Sequence, residues 1–483
     1  MALPVETFFL NSTTQGTLKA QIQQMVAEGI LSGRFKPGEK LPSSRKLATH
    51  LGVSRITVTL AYTDLLADDY IVARGRSGYY VSENAPQPPE MPSLRPTNDA
   101  VEWSRVLAHR NSDVPQLAKP ADWQRYQYPF IYGQADPTLF DRANWRLCAL
   151  QALGKRDFDA LTTDYVDQDD PKLIEFIARH TLPRRGIKAR PDEILVTMGA
   201  QNALWLSAQL LLTQRRNAVM EEPCYPGLRD ILMQSRCNLH HIPVDEDGLP
   251  PDLLPKDIDV VFCTPSHQCP TTASMPLERK TELLNRAASD DFLIVEDDYE
   301  FEMSFLKAPS PALKSLDQDG RVIYIGSFSK SLAPGLRLGY MVGPAPFIKQ
   351  ARKLRASVLR HPPGQIQRTA AYFLSLGHYD ALIKRMSKAF YRRRMEMEKA
   401  IYHNGLTVAG RGAFGGSSIW MKAENRHNTM GLARALKPQG VLIEPGGPFF
   451  LQKEDRVCHY RLAYSSIPEE RIAKGIEILA AAI

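Results

Sequence analysis

The chain has 483 residues, of which 43% are hydrophobic and 23% are charged, a composition typical of a globular protein long enough for two or more domains. It contains no uninterrupted apolar run of membrane-spanning length, and its first residues lack the basic start and apolar stretch of a signal peptide, so we expect a cytoplasmic protein. Its six cysteines lack paired CxxC spacing, which indicates neither a metal site nor a disulfide framework, and a net charge of +7 permits a polyanionic partner without requiring one.

The first predicted elements form a helix-turn-helix. Apolar residues recur at helical spacing over residues 17–31, so this segment should form an amphipathic helix that ends at the turn residues following it. A second, short helix begins at Ser43 or Ser44. Gly52 then supplies a tight turn, and Ser54 caps a third helix.

This spacing predicts DNA binding, because the second helix of such a pair presents its first turn to base edges in the major groove. Residues 71–81 (IVARGRSGYYV) are typical of two short strands around a basic, glycine-rich tip, a wing that can lie along a groove or the backbone. The alternative is a helical protein-interaction module, since the helix-turn-helix also occurs without DNA. The residues predicted to contact DNA are Arg45, Ser54, Arg55, Thr57, Arg76 and Gly78.

A proline-rich stretch separates this segment from the rest of the chain. Residues 85–96 (APQPPEMPSLRP) contain five prolines in twelve positions, which favours an extended spacer over a helix or strand. We therefore predict a DNA-binding domain at 12–83, a linker at 84–125 and a second domain at 126–483. The alternative is an irregular loop within one domain.

In the second segment, polar residues follow hydrophobic strands. Residues 321–326 (RVIYIG) suit a buried strand of a parallel sheet, so Ser327 to Lys330 should lie beyond its carboxyl end, where open α/β sheets bind ligands. The run FLIVEDDYEFE places Asp297 and Tyr299 just past another such strand. The run ILVTMGAQNALWLSAQLLL is typical of a strand, a small-residue turn and a helix whose first amides can hold an anion.

Each of these residues alone has an ordinary structural explanation, such as a helix cap, a core tyrosine or a surface ion pair. Together they match what pyridoxal phosphate requires. Its aldehyde needs a lysine amine to form an internal Schiff base, for which Lys330 is the candidate. Asp297 suits the carboxylate that keeps the pyridine nitrogen protonated, Tyr299 the phenol near the ring's 3-oxygen, and Tyr225 the ring that stacks on the cofactor. The predicted phosphate ligands are Gly199, Ala200, Gln201, Ser327, Ser329 and Arg337.

Two known families resemble these segments. The run KPGEKLPSSRKLATHLGVSRITVTLAYTDL, with RSGYYV, closely resembles the winged-helix domain of GntR-type bacterial regulators, although Asp69 stands where that family usually has glycine. Residues 125–483 resemble fold-type I aminotransferases. Together with CTPSHQCPTTASMP, the chain resembles the MocR/GabR subfamily of GntR regulators, which implies an α/β fold with a winged helix-turn-helix domain joined to an aminotransferase-like, cofactor-binding sensor domain.

The resemblance also implies roles for particular residues. It again assigns Lys330 to the Schiff base and Asp297 to the pyridine nitrogen. It also implies that Arg461, in CHYRLAYS, binds the carboxylate of an amino-acid-like ligand. His267 or Gln268 should face the cofactor's oxygen side. This chain has Thr272 where aminotransferases commonly have glycine, so the choice between those two side chains stays open.

The function expected from this resemblance is transcription regulation rather than enzyme catalysis. An amine or amino-acid-like metabolite would displace Lys330, form an external aldimine, and shift the domains between arrangements with different DNA affinity. A homodimer would bind a double-stranded operator with two half-sites. The alternatives are an active aminotransferase with an appended winged helix and a cofactor-free repressor. The SHQCPT run suggests subgroups that respond to taurine or ectoine-derived amines.

Overall fold

The computed structural model describes residues 2–10, 16–86, 101–106, 119–133, 136–410, 412–423, 428–451 and 458–483. These residues form two compact units, 1–107 and 108–483. Much of the predicted linker, including residues 87–100 and 107–118, lies outside the described part of the chain. In the described part, no helix is long and apolar enough to cross a membrane.

The first unit contains the predicted helix-turn-helix. Helices α1 (Leu18–Leu31), α2 (Ser44–Leu51) and α3 (Arg55–Ala67) pack around a shared apolar core. The side chain of Ser43 caps α2 by accepting a hydrogen bond from the amide of Lys46, and the left-handed Gly52 ends that helix. The caps and the turn fall where the sequence predicted them, so the local pattern sets where these helices begin and end.

The wing follows α3 as an antiparallel pair, β1 (Ile71–Ala73) and β2 (Tyr79–Val81). Asp69, which replaces the family's usual glycine, has φ +57°, a left-handed conformation that aspartate tolerates better than most residues. Residues 2–10 also pack on this unit, since Phe8 is fully buried and its carbonyl lies 3.0 Å from Nε2 of His50. These residues precede the predicted boundary at residue 12. Helix α4 (Trp103–Val106) comes next in the chain.

The second unit contains most of the regular structure. In chain order its elements are β3 (Tyr128–Pro129), α5 (Arg142–Ala152), α6 (Asp159–Thr162), α7 (Pro171–Phe176), β4 (Ile194–Thr197), α8 (Ala200–Leu211), β5 (Asn217–Glu222), α9 (Pro226–Gln234), β6 (Asn238–Pro243), β7 (Val260–Cys263), α10 (Leu277–Ser289), β8 (Leu293–Asp298), α11 (Leu313–Leu316), β9 (Val322–Ser327), β10 (Gly339–Val342), α12 (Ala345–Leu359), α13 (Gly364–Ser375), α14 (His378–His403), β11 (Thr407–Val408), β12 (Ser418–Lys422), α15 (Thr429–Leu436), β13 (Val441–Leu442), β14 (Glu444–Pro445), β15 (His459–Ala463) and α16 (Glu469–Ala481).

A seven-stranded sheet in the order β4-β10-β9-β8-β7-β5-β6 forms the centre of this unit. Its strands run parallel except β10, which is antiparallel to both neighbours. Helices cover both faces: α8, α9 and α12 contribute to one apolar cluster, and α10 and α11 to another. The central strands are therefore buried on both sides, as expected for parallel strands with near-continuous apolar sequences.

A smaller antiparallel sheet, β11-β12-β15-β14, packs with α13, α14 and α16 around a third apolar cluster. The buried carboxylate of Asp169, just before α7, connects α12 to the edge strand β4 through hydrogen bonds. It accepts hydrogen bonds from the Val196 amide and from Arg352 and Arg355 of α12. This network fixes the end of β4, which leads directly into the candidate site.

Candidate functional site

The site lies where the carboxyl ends of the central strands meet. β8 and β9 are parallel neighbours, so Asp297 at the end of β8 and the loop after Ser327 of β9 lie on the same edge of the sheet. β4 runs antiparallel to β10, which separates it from β9, and Gly199 follows β4 at this edge. The fold thus brings together the residues that the sequence had placed after three separate strands.

Lys330 is partly buried at the centre of this edge. Its Nζ lies 3.8 Å from the ring centroid of Tyr132. Burial lowers the pKa of the Lys330 ammonium to about 8, although the nearby carboxylate of Glu300 opposes this shift. Gly133 approaches so closely that a Cβ there would lie 2.7 Å from the Lys330 Nζ, which explains a glycine with φ +76° at this position.

Asp297 is a buried carboxylate with an unused acceptor. Its side chain is 8% exposed, and Oδ1 has no hydrogen-bond partner among the described residues. Burial, with the neighbouring carboxylate of Asp298, raises the pKa of Asp297 to about 7. An unpaired buried acceptor of this kind is costly, so the position suits a cationic N–H donor from a bound molecule.

Gly199, Ser329 and Arg337 form an anion cradle. Gly199 has φ +80°, and a Cβ on it would lie 3.3 Å from Nη2 of Arg337 and 3.5 Å from Oγ of Ser329. It caps α8, whose first amides, at Ala200 and Gln201, have no acceptor within the helix. Donors from a helix end, a hydroxyl and a guanidinium therefore surround one small space, while Ser327 Oγ accepts from the Ser329 amide and shapes the loop.

The structure separates the roles of His267 and Gln268. Both ends of the Gln268 side chain are hydrogen-bonded to neighbouring residues. Its Nε2 donates to Glu221 and to the Pro223 carbonyl, and its Oε1 accepts from Thr271. His267 instead has its Nε2 3.4 Å from Glu300, while its Nδ1 has no hydrogen-bond partner among the described residues. Burial lowers the pKa of His267 to about 4, so the imidazole is neutral at pH 7.

Thr272 adopts φ +64°, a conformation that favours glycine and strains a β-branched residue. Its amide donates to the Gln268 carbonyl, which closes the loop around that side chain. Thr272 therefore adopts the left-handed backbone conformation that a glycine would favour at this position.

Tyr225 and Tyr299 pack against one apolar cluster that includes Cys269 and Phe449. Burial raises the pKa of Tyr225 to about 12 and also raises the pKa of Tyr299. The His267 and Tyr299 rings lie 5.9 Å apart. Both phenols thus stay protonated at neutral pH and can donate a hydrogen bond within the site.

Arg461 is buried with partners on several sides. Its Nε donates to Glu444 at 2.8 Å, and its guanidinium lies 4.1 Å from the Tyr132 centroid and 4.7 Å from that of Phe449. Burial disfavours the charge, but the carboxylate of Glu444 together with Cys269 and Tyr132 outweighs burial, so the pKa of Arg461 is raised. Because Nε is bound to Glu444, the two Nη groups form the end of the guanidinium that can meet a ligand. Among the described residues, Nη1 contacts the sulfur of Cys269 at 3.8 Å.

Sequence reasoning missed three residues here: Tyr132, Glu444 and Lys119. Lys119 lies within the range predicted as linker, yet its Nζ is 3.4 Å from Oε1 of Glu444 and donates to the Tyr132 carbonyl. Burial lowers the pKa of Lys119. None of the three follows a strand of the central sheet, so the pattern that predicted the other residues carried no signal for them.

The predicted DNA-contact residues lie on the first unit. Arg45 and Arg55 are exposed, while the Ser54 and Thr57 hydroxyls lie 2.8 Å apart at the start of α3. Gly78 ends the wing turn with φ +106°. The side chain of Arg76 lies outside the described residues. The wing has a further cation, Arg74, which the sequence placed with Arg45, Arg55 and Arg76 among the basic residues of this segment, and it lies 4.9 Å from the Tyr80 ring centroid.

Comparisons with known proteins match both units. The model of bacterial regulatory proteins of the gntR family matches residues 18–81, and that of aminotransferase class I and II matches residues 146–479. The chain is 57% identical to the HTH-type transcriptional regulator TauR of Rhodobacter capsulatus over all of both chains. It is 29% identical to the probable rhizopine catabolism regulatory protein MocR of Rhizobium meliloti over 96% of this chain and 93% of that protein.

Among solved structures, a Pyrococcus horikoshii kynurenine aminotransferase in complex with PMP matches with a TM-score of 0.71 and 25% identity, over 79% of this chain and 97% of that one. A helix-turn-helix unit followed by an aminotransferase fold defines a transcriptional regulator built on an aminotransferase scaffold. The chain belongs to the MocR/GabR-type subfamily of gntR-family regulators. The expected fold class and the expectation of a regulator rather than an enzyme are confirmed.

The site fits the pyridoxal phosphate that this fold implies. The unpaired Oδ1 of Asp297 suits a protonated ring nitrogen, and the cradle at Gly199, Ser329 and Arg337 suits a phosphate. Lys330 suits the aldehyde, because its lowered pKa makes more neutral amine available at pH 7 than an ordinary lysine offers. In the described part of the chain, no cluster of His, Cys, Asp or Glu could hold a metal ion.

The Lys330 environment predicts how cofactor loading depends on pH. Only the neutral amine attacks an aldehyde, so the rate of pyridoxal phosphate uptake by the cofactor-free protein should rise with pH and level off above about 8. Replacing Glu300 with Gln removes a carboxylate that favours the ammonium, so the midpoint should shift to lower pH. Stopped-flow absorbance measures the rate. Glu302→Gln, which alters another buried carboxylate, should leave the midpoint unchanged; an equal shift in both variants would contradict this assignment.

Proposed function

We propose that this regulator holds pyridoxal phosphate at Lys330 and changes its DNA binding when a short amine with an acid group exchanges covalently with that lysine. When bound, the cofactor supplies an aldehyde carbon that either amine can occupy. The observation that carries the proposal is the pairing of an unpartnered buried acceptor, Oδ1 of Asp297, with a partly buried lysine of lowered pKa on the same sheet edge.

The chain's own residues would divide the work. Asp297 holds the proton on the ring nitrogen, and Gly199, Ser329 and Arg337 hold the phosphate. Neutral His267 and the Tyr299 phenol offer donors on the side of the ring oxygen. The apolar contacts of Tyr225 and Phe449 exclude water, which strengthens each of these polar interactions.

The geometry limits the length of the effector. The Lys330 Nζ and the Arg461 guanidinium lie 3.8 Å and 4.1 Å from the centroid of the same Tyr132 ring. An amine at one and an acid group at the other can therefore be only a few bonds apart. Two cations, Arg461 and Lys119, both contact the carboxylate of Glu444, so this end of the pocket favours a ligand that brings a negative charge. Short amino-sulfonic and amino-carboxylic acids, such as taurine and β-alanine, meet both requirements.

Replacing Lys330 with Ala tests the sensing step. The variant should retain no cofactor after borohydride reduction and should show no effector response, because it lacks the attacking amine. Its affinity for DNA should stay within about threefold of the wild type, since the helix-turn-helix belongs to the other unit. Intact-protein mass and gel shifts on a duplex selected from a random library by the wild-type protein measure both properties. A variant that still responds normally to taurine or β-alanine would refute covalent sensing.

Replacing Arg461 with Met tests the recognition of the acid group. Glu444 keeps Lys119 as a partner, so the fold should survive. The concentrations of taurine and β-alanine needed to change the cofactor spectrum should rise at least about 30-fold, since a buried charge contact with the ligand is lost. Ethylamine, which lacks an acid group, serves as the control and should act equally on both proteins. A uniform loss for all three amines would instead indicate a structural role for Arg461.

We also propose that two copies pair through their aminotransferase-like units and present two winged helices to an operator with two half-sites. An exposed apolar face supports self-association: Leu147 and Leu150 of α5 are 61% and 54% exposed, and Leu153, Phe158 and Leu161 continue it. A surface of this kind is unfavourable in water unless another molecule covers it. The family resemblance, in which a second subunit closes the cofactor pocket, makes a second copy the partner that fits.

Charge on this face should weaken self-association. Leu147→Asp combined with Leu150→Asp should shift the mass measured by light scattering toward the monomer, because burying two carboxylates is costly. Leu277→Asp, which changes a residue on α10 that is 48% exposed, is the matched control and should leave the mass unchanged. Inserting about five base pairs between the half-sites should impair wild-type binding by placing them on opposite faces of the duplex. Binding indifferent to this spacing would argue against paired half-sites.

A further inference from the structure

The helix that faces DNA in the proposed function, α3, exposes an apolar surface on its first two turns. Ile56 is 72% exposed, and Leu60, four residues later on the same side, is 48% exposed. The core of this unit is made instead by residues on the opposite side of the helix, Val58, Ala61, Tyr62 and Leu65. Ile56 therefore lies mostly outside the core of this unit, and its exposed branched side chain is available to an external surface.

The capping of α3 leaves two residues to read bases from its first turn. The Oγ of Ser54 accepts a hydrogen bond from the Thr57 amide and lies 2.8 Å from the Thr57 hydroxyl. These two side chains are thus engaged with each other and with the helix end. Ser54 precedes the helix, and within its first turn Arg55 and Ile56 are exposed: the first offers guanidinium donors, the second only apolar groups.

The charges around α3 favour DNA over a protein as the surface that covers Ile56. Arg45 on α2 and Arg55 beside Ile56 are both exposed cations. The carboxylate of Asp64, also on α3, is turned toward α1, where it pairs with Lys19 and accepts a hydrogen bond from Gln23. The face that carries Ile56 is thus apolar at its centre and cationic beside it, which matches a groove floor between phosphate chains.

We propose that Ile56 packs against the 5-methyl group of a thymine in the major groove and so selects T next to the base contacted by Arg55. The inference rests on the proposed DNA-binding function. In the major groove, thymine is the base that presents a methyl group, and apolar side chains recognise it by contact. A branched side chain such as isoleucine can cover that methyl without competing for hydrogen bonds.

Replacing thymine with deoxyuridine tests this contact, because the exchange removes one methyl group and keeps the base pairing. The duplex selected by the wild-type protein is synthesised with each thymine of a half-site replaced in turn. At one position per half-site, the wild-type Kd should rise about fourfold, the expected value for losing one buried methyl. For Ile56→Ala, the same exchange should change Kd by less than about 1.5-fold. Ile56→Val, which keeps branched methyl groups, should retain most of the sensitivity.

Leu18→Ala is the matched control, since Leu18 is an equally apolar, 48% exposed residue on α1. It should keep the full deoxyuridine effect. A wild-type protein indifferent to deoxyuridine at every position, or an Ile56→Ala variant that keeps the sensitivity, would refute the contact while leaving DNA binding intact. A change in self-association of Ile56→Ala without a change in deoxyuridine sensitivity would show that a second copy covers this face. Failure of the wild-type protein to select any duplex would refute DNA binding and this contact together.

Discussion

The site depends on one constraint: carboxylates are buried at the edge of the central sheet with too few cations beside them. Asp298 has its own partner, because Arg185 donates to it at 2.7 Å in a fully buried pair. Oδ1 of Asp297 has no hydrogen-bond partner in the described part of the chain, and burial raises the pKa of this carboxyl to about 7. Burial raises the pKa to the same value for Glu221, Glu296 and Glu302. A cation bound beside Asp297 offsets part of this cost, so the cofactor is expected to contribute to the fold as well as to sensing.

The same constraint explains why the protein can keep a reactive lysine. A partly buried ammonium near Lys119 and Arg461 is disfavoured, whereas the carboxylates of Glu300 and Glu444 favour it. The balance leaves the pKa of Lys330 at about 8, so more of its amine is neutral near pH 7 than in an ordinary lysine. Had the acids been removed to make the core more stable, the pocket would also have lost its preference for a cationic ring nitrogen.

The sequence predicted the residues whose positions follow from local patterns, and it missed those that only tertiary packing brings into the site. Lys330, Asp297 and Gly199 were found because each follows an apolar strand, and parallel strands bring their carboxyl ends to one edge of the sheet. Ser43, Gly52 and Ser54 were found because capping and turn residues act within a few positions. Tyr132 and Glu444 were not predicted because the segment after β3, which carries Tyr132, and β14, which carries Glu444, reach the pocket only through tertiary packing. Lys119 escaped for the same reason and because its neighbours in sequence are typical of a spacer.

Lys119 extends the charged contacts of the proposed effector pocket. Arg461, Glu444 and Lys119 form a continuous chain of charges, with contacts of 2.8 Å and 3.4 Å. An acid group arriving at Arg461 adds a negative charge beside Glu444, and Lys119 is a cation close enough to offset it. In the proposed function, the acid group of the effector would therefore act directly on this ion-pair chain.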